Sequence, residues 1–124
     1  MRVLMLGDIF GRPGRQIVAQ HLPKLIERYN PVLIVANGEN AAGGFGLTKK
    51  VADELFGLGI HVLTSGNHIW DQKEMYTHIE AEPRILRPAN YPPTVPGASV
   101  YLHEIEDGQI AVVNLIGRVF MQDY

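Results

Sequence analysis

Three short apolar runs, each cut off by glycine and then by acid or amide side chains, restrict this chain more than any other feature. Residues 2–6 stop at Gly7-Asp8. Val32-Leu33-Ile34-Val35-Ala36 stops at Asn37-Gly38-Glu39-Asn40, and Ile60-His61-Val62-Leu63-Thr64 stops at Ser65-Gly66-Asn67-His68. Runs this short and this continuous are strands with no solvent face, buried on both sides of a sheet. The β-branched content of the second run supports the same reading. Strands of that kind, separated by helical stretches, imply a parallel α/β sheet wound by right-handed crossovers.

The stretches between the strands supply the helices. From about Arg15, the residues Ile17, Val18, Leu22, Leu25, Ile26 and Tyr29 recur at helical spacing, and Asn30-Pro31 closes the unit. Pro23 falls inside that pattern and costs ~3 kcal/mol in a helix interior, so a kink or an interruption near His21 is expected. Thr48 can cap a second helix carrying Val51, Leu55 and Phe56, ended by Gly57 and Gly59. A short helical segment is expected near 72–79. The proline-rich stretch from Arg87 to Gly97 reads as an ordered irregular loop anchored by Tyr91 and Val95. Two further strands, near 99–105 and 110–116, flank Glu106-Asp107-Gly108-Gln109, a strong hairpin signal. The fold class is α/β: parallel βαβ units followed by a β-hairpin, with no internal domain boundary.

Composition narrows the chemistry. With 124 residues, 46% of them hydrophobic and 19% charged, the chain suits one soluble globular domain. It has no cysteine, which rules out disulfides, zinc–thiolate sites and thiol nucleophiles. A metal must then be held by carboxylate, amide and imidazole, a donor set that favours hard or borderline ions. Net charge is −2 with no run of Lys or Arg, so neither duplex nucleic acid nor an anionic membrane is an expected partner. Small phosphorylated substrates need only a local positive site and stay open. The N-terminal run lacks the length of a signal peptide, and no run approaches the ~18 residues of a membrane span. The expected location is cytoplasmic.

The polar residues that interrupt the strands recur together. Asp8 follows the first strand, Glu39 and Asn40 the second, Asn67 and His68 the third, each advance being about 30 residues, the length of one βα unit. Ligands in open α/β sheets bind outside the carboxyl ends of the strands, and neighbouring strands lie ~4.8 Å apart, so the exits can converge. Taken singly, Asp8 reads as an N-cap, Glu39-Asn40 as a solvated turn, Gly38 to Gly46 as a flexible loop, and residues 65–68 as a turn with a surface histidine. Their joint recurrence favours one cluster. Two carboxylates, two amides and an imidazole packed together repel or remain unsatisfied unless a cation holds them. A dinuclear site with Glu39 bridging, Asn67 as a ligand and His68 as a catalytic acid is the expectation. Other phosphate motifs do not match. Gly7, Gly11 and Gly14 lack the dinucleotide-binding spacing, no glycine is followed by Lys and Ser/Thr, and Ile9 stands where a GDSL-type hydrolase places serine.

Gly7-Asp8-Ile9-Phe10-Gly11, Asn37-Gly38-Glu39-Asn40-Ala41-Ala42-Gly43-Gly44 and Gly66-Asn67-His68-Ile69-Trp70-Asp71 resemble the calcineurin-like metallophosphoesterases, and more closely their bacterial YmdB-like subfamily. Two departures from the superfamily pattern are shared by that subfamily: Phe10 replaces the histidine of an Asp-x-His motif, and Glu39 beside Asn40 replaces a bridging Asp. The resemblance implies a metallophosphoesterase-type α/β sandwich in which Asp8 and Asn40 hold one ion, Glu39 bridges, Asn67 holds the second and His68 protonates the leaving oxygen. It implies two divalent ions, Mn or Fe first and Zn or Mg as alternatives, and hydrolysis of a small phosphodiester or cyclic nucleotide of the 2′,3′ type. Family members carry roughly as much sequence again, with further histidine ligands. Residues 1–124 are therefore expected to form the N-terminal part of a single, incomplete domain. His78 and His103 read as structural or solvated, and Arg12 and Arg15 as solvated rather than phosphate-binding. A homo-oligomer is compatible with this reading. The competing one is a regulatory metal- or nucleotide-binding protein with little or no turnover, and a third is a ligand-free structural module.

Overall fold

The computed structural model describes residues 1–117 and 119. Strands β1 (Val3–Asp8), β2 (Leu33–Asn37), β3 (Val62–Thr64) and β4 (Ile85–Leu86) form one sheet in sequential order, every pair parallel. Helices α1 (Gly11–Tyr29), α2 (Lys49–Gly57) and α3 (Met75–Ala81) make the crossovers, with a 3-10 turn at Asn67–Trp70 before α3. Sequential order with one-handed crossovers places the helices on a single face. Strands β5 (Val100–Ile105) and β6 (Gly108–Val113) pair antiparallel as a separate two-stranded sheet.

The continuous apolar runs are explained by these two layers. Ile34, Ala36, Leu63 and Ile85 pack with Leu22, Ala52, Leu55, Met75 and Ile79 of the helices. Their strand neighbours Leu33, Val35, Val62 and Leu86 point the other way, against Tyr101, Ile110 and Val112 of the hairpin. Alternate residues thus fill opposite cores. The exception is β1, expected to be fully buried. It is an edge strand, its Leu4 and Leu6 join the helical core, and Val3 and Met5 on the other face are 42% and 74% exposed. The hairpin covers the inner strands and leaves that edge open.

Three local expectations change. Helix α1 begins four residues early and runs across Pro23 without interruption. Pro23 is exposed, and so is Ala19, whose carbonyl loses the N–H it would otherwise accept from, so water can reach it while Leu22 stays buried. The two-residue strand β4 was hidden in the sequence by its brevity, and the hairpin strands are shorter than expected at their outer ends. Thr48 does cap α2, its hydroxyl accepting from the Val51 N–H at 3.2 Å. Tyr91 and Val95 do pack into the helical core and anchor the proline-rich loop. No helix among the described residues is long and apolar enough to cross a membrane.

Candidate functional site

All three polar strand exits lie at the carboxyl end of the sheet, and hydrogen bonds join them. Strand β1 extends through Asp8, with a shift in its pairing to β2 between Leu6 and Asp8. The Asp8 carboxylate is exposed, and both of its oxygens accept from Asn40 Nδ2 at 3.1 Å. Asp8 is therefore not the N-cap of α1: Phe10 holds that position, without a side-chain cap. Nor is the stretch after β2 a loose turn. The Asn40 carbonyl accepts from the Gly11 N–H (2.9 Å) and the Gly44 N–H (3.1 Å), and the Ala42 N–H donates to the Gly46 carbonyl (3.0 Å). Backbone bonds on both sides fix the glycine-rich segment to the start of α1.

Glu39 is held from three directions. Its Oε1 accepts from Asn37 Nδ2 at 3.2 Å, while the Asn37 amide oxygen accepts from the Glu39 N–H at 3.3 Å. Its Oε2 accepts from the backbone N–H of His68 at 3.1 Å, at the next strand exit. The third contact is with Gly66. A Cβ at that position would stand 2.7 Å and 2.8 Å from the two carboxylate oxygens. Gly66 has φ −144°, outside the left-handed region, so the glycine is needed for space rather than for a sharp turn.

The Ser65–His68 exit is braced from behind by residues with no catalytic appearance in the sequence. The Ser65 hydroxyl donates to the Leu86 carbonyl (2.6 Å), and buried Asn114 donates from Nδ2 to the carbonyls of Ser65 (2.8 Å) and Leu86 (2.9 Å). Asn67 opens the 3-10 turn with its side chain exposed. The half-exposed His68 ring donates from Nδ1 to Asp71 Oδ2 at 2.7 Å, which fixes the ring and leaves Nε2 as its free nitrogen. Asp71 ends the third sequence motif, where its neighbours alone give it no role. Its spacing of three from His68 in a helical turn is the signal that could have found it.

Other basic groups lie elsewhere. Arg15 donates to both Glu54 oxygens (3.1 Å each) and to the Ala41 carbonyl (2.6 Å), so it is tied into the structure rather than solvated. Arg12 is exposed. His103 donates from Nε2 to the Val32 carbonyl (2.8 Å) and rests 4.8 Å from the His61 ring, at the opposite end of the strands. Burial, and secondarily the charge of His103, lowers the pKa of His61 below its ordinary value. His78 sits on α3 with a buried Nε2 and no hydrogen bond to it among the described residues.

Asp8, Glu39, Asn40 and Asn67 offer oxygen donors, the set suited to a hard or borderline divalent cation. Among the described residues no group of three or more His, Asp and Glu side chains could hold an ion. Asp8 and Glu39 are the two carboxylates among these four, so a higher coordination would have to come from the amides of Asn40 and Asn67. In the structure Asn40 meets Asp8 through its Nδ2, not its oxygen. A half-turn of that amide would bring its oxygen beside the carboxylate, an arrangement favourable only with a cation between them.

The family model described as "YmdB-like protein" matches residues 4–124. The chain belongs to the YmdB-like family. It is 43% identical over 121 residues to the 2′,3′-cyclic-nucleotide 2′-phosphodiesterase of Bacillus subtilis, covering 98% of this chain and 46% of that one. A crystal structure of a hypothetical protein from Thermus thermophilus superposes with a TM-score of 0.90 at 42% identity, covering 98% of this chain and 47% of that one. A phosphatase structure from Mycoplasma pneumoniae superposes with a TM-score of 0.86 at 30% identity, covering 94% and 43%. This YmdB-like chain thus spans about half the length of the relatives it matches. The α/β architecture expected from its strand pattern is the one these relatives share.

Proposed function

We propose that the chain is the N-terminal part of a single metal-dependent phosphodiesterase domain, acting on small phosphodiesters of the 2′,3′-cyclic nucleotide type. The observation that carries this reading is the linkage of three strand exits. Asn40 bonds Asp8, the adjacent Glu39 bonds the His68 backbone, and His68 is oriented by Asp71. The name of the Bacillus subtilis relative supports the substrate class.

In this reading Asp8 and Asn40 would hold one divalent ion, Asn67 would hold a second, and Glu39 would be shared between them. Mn or Fe is the first choice and Zn or Mg the alternative. Such a pair of ions supplies Lewis-acid polarisation of the phosphoryl group and a nucleophile at neutral pH. The chain's own residues do the rest. His68, as the imidazolium, would give its Nε2 proton to the departing ribose oxygen and be left neutral, while Asp71 on Nδ1 keeps the ring turned toward it. Asn37 and Gly66 keep the Glu39 carboxylate facing the cluster.

In the intact protein, His68→Ala should retain its metal and lose about 10²–10⁴-fold in turnover of a cyclic nucleotide, the usual range for a general acid. Unchanged turnover would remove His68 from the mechanism. Glu39→Gln should lower the content of both metals by elemental analysis, and full occupancy would contradict bridging. A regulatory binding protein, the competing reading, would retain metal or nucleotide yet show no turnover proportional to protein concentration.

A further inference from the structure

The loop between β2 and α2 carries a phenylalanine in solvent, and it is held there firmly. Phe45 is 61% exposed. Its N–H donates to the Ala42 carbonyl (3.3 Å), and its own carbonyl accepts from Gln72 Nε2 (2.9 Å). The residues on either side have to be glycine. Gly44 has φ +96°, and a Cβ there would stand 2.7 Å from the tip of the Phe10 ring. Gly46 has φ +76°, and a Cβ there would stand 2.8 Å from Gln72 Cγ. Phe10 and Gln72 therefore clamp the loop from both sides. The Phe45 ring meets His68 edge to face, with centroids 6.0 Å apart and planes at 69°. With its backbone fixed this way, the ring stays in solvent and does not gain the burial that usually rewards its size.

We propose that Phe45 is the stacking platform for the base of the nucleotide whose phosphate reacts at the strand exits. This rests on the phosphodiesterase reading and adds what selects the substrate. In a 2′,3′-cyclic nucleotide the base stands one ribose ring away from phosphorus. Phe45 stands one ring contact away from His68, the proposed donor to the departing ribose oxygen. Stacking on an aromatic face needs no particular hydrogen-bonding edge, because every base has a π-face. The ligand class is therefore a cyclic ribonucleotide of any base, with purines favoured by their larger rings. Phe10, 58% exposed and packed on Gly44, positions the loop.

The test compares two substrates with the same reacting group in the intact protein: adenosine 2′,3′-cyclic phosphate, and ribose 2,3-cyclic phosphate, which lacks a base. Phe45→Ala should raise KM for the nucleotide about tenfold and leave its kcat within about twofold, matching the effect of removing one stacking ring. The base-free substrate should be unaffected, and Phe45→Trp should restore the preference. Equal losses on both substrates would overturn the proposal, since they would place Phe45 in loop or His68 geometry. So would a native protein that uses both substrates equally well, an outcome that leaves the phosphodiesterase reading intact. Binding of adenosine 3′-monophosphate against ribose 3-phosphate gives the same discrimination without turnover. Nucleotide binding that depends on Phe45 in a protein with no turnover would uphold stacking and overturn the phosphodiesterase reading. Binding of the two ligands that is equally insensitive to Phe45→Ala would overturn stacking.

Discussion

Asp8 and Asn40 meet side chain to side chain at an exposed sheet edge, whereas Glu39 lies against the backbone of the neighbouring exit with Asn37 on one oxygen and the His68 N–H on the other. The first pair can rearrange by turning one amide. The second cannot move without giving up its bond from the His68 backbone N–H. The contrast follows from position in the sheet. Strand β1 has a neighbour on one side only, while β2 and β3 lie between two strands and under both cores. Rigidity in the interior holds the proposed bridging carboxylate and the proposed acid in fixed relation. Latitude at the edge would let Asp8 and Asn40 adjust around an ion under the proposed reading.

The most severe way to break this contrast is Gly66→Ala. The new Cβ would overlap both Glu39 oxygens, and a displacement of about 1 Å at a reacting centre costs on the order of 10²-fold. Turnover of a cyclic nucleotide should fall by about that factor with the circular dichroism spectrum unchanged. Activity within threefold of native would show that Glu39 is not fixed by this contact.

Asp71→Asn should have a smaller effect, about tenfold in kcat, because the amide can still accept from His68 Nδ1 but no longer favours one tautomer. A loss as large as that of His68→Ala would mean that Asp71 does more than orient the ring.

The smallest expected effect concerns His61, at the far end of the strands, and leaves both halves of the site untouched. Its pKa is lowered in the folded protein by burial first and by His103 second. The unfolded chain therefore binds more protons in the window just below His61's ordinary value of 6.5. Stability from this group is complete above pH 6.5 and is lost as pH falls through the lowered folded value. The midpoint of urea unfolding should drop on acidification below pH 6.5, and His61→Gln should flatten that drop. An unaltered slope would assign the acid sensitivity to other groups.

The cluster was legible in the sequence because its members follow directly from strand ends. The apolar runs break at Leu6, Ala36 and Thr64, with Asp8, Glu39 and His68 two, three and four residues on, and this marks a common end of the sheet even though β1 is half-open and includes Asp8. The braces were not legible. Asn114 lies beyond the hairpin and reaches Ser65 only because the chain returns to β4 through the Leu86–Ala98 bridge. Nothing in its neighbours Val113 and Leu115 signals that contact. Arg15 looks solvated in the sequence for a similar reason: its partners Ala41 and Glu54 are distant in sequence and near it only in the fold.

The sequence by itself determined the strand runs, the helix spacings and the order of polar exits, since these depend on local composition and on the two-residue and 3.6-residue periods of the backbone. The tertiary structure decided which of those strands would be an edge, leaving Val3 and Met5 exposed in a run that reads as buried. It also decided why Gly66 is glycine. No φ requirement demands it; the reason is a carboxylate from a different strand exit, and such a contact exists only after two loops nearly 30 residues apart have been brought together.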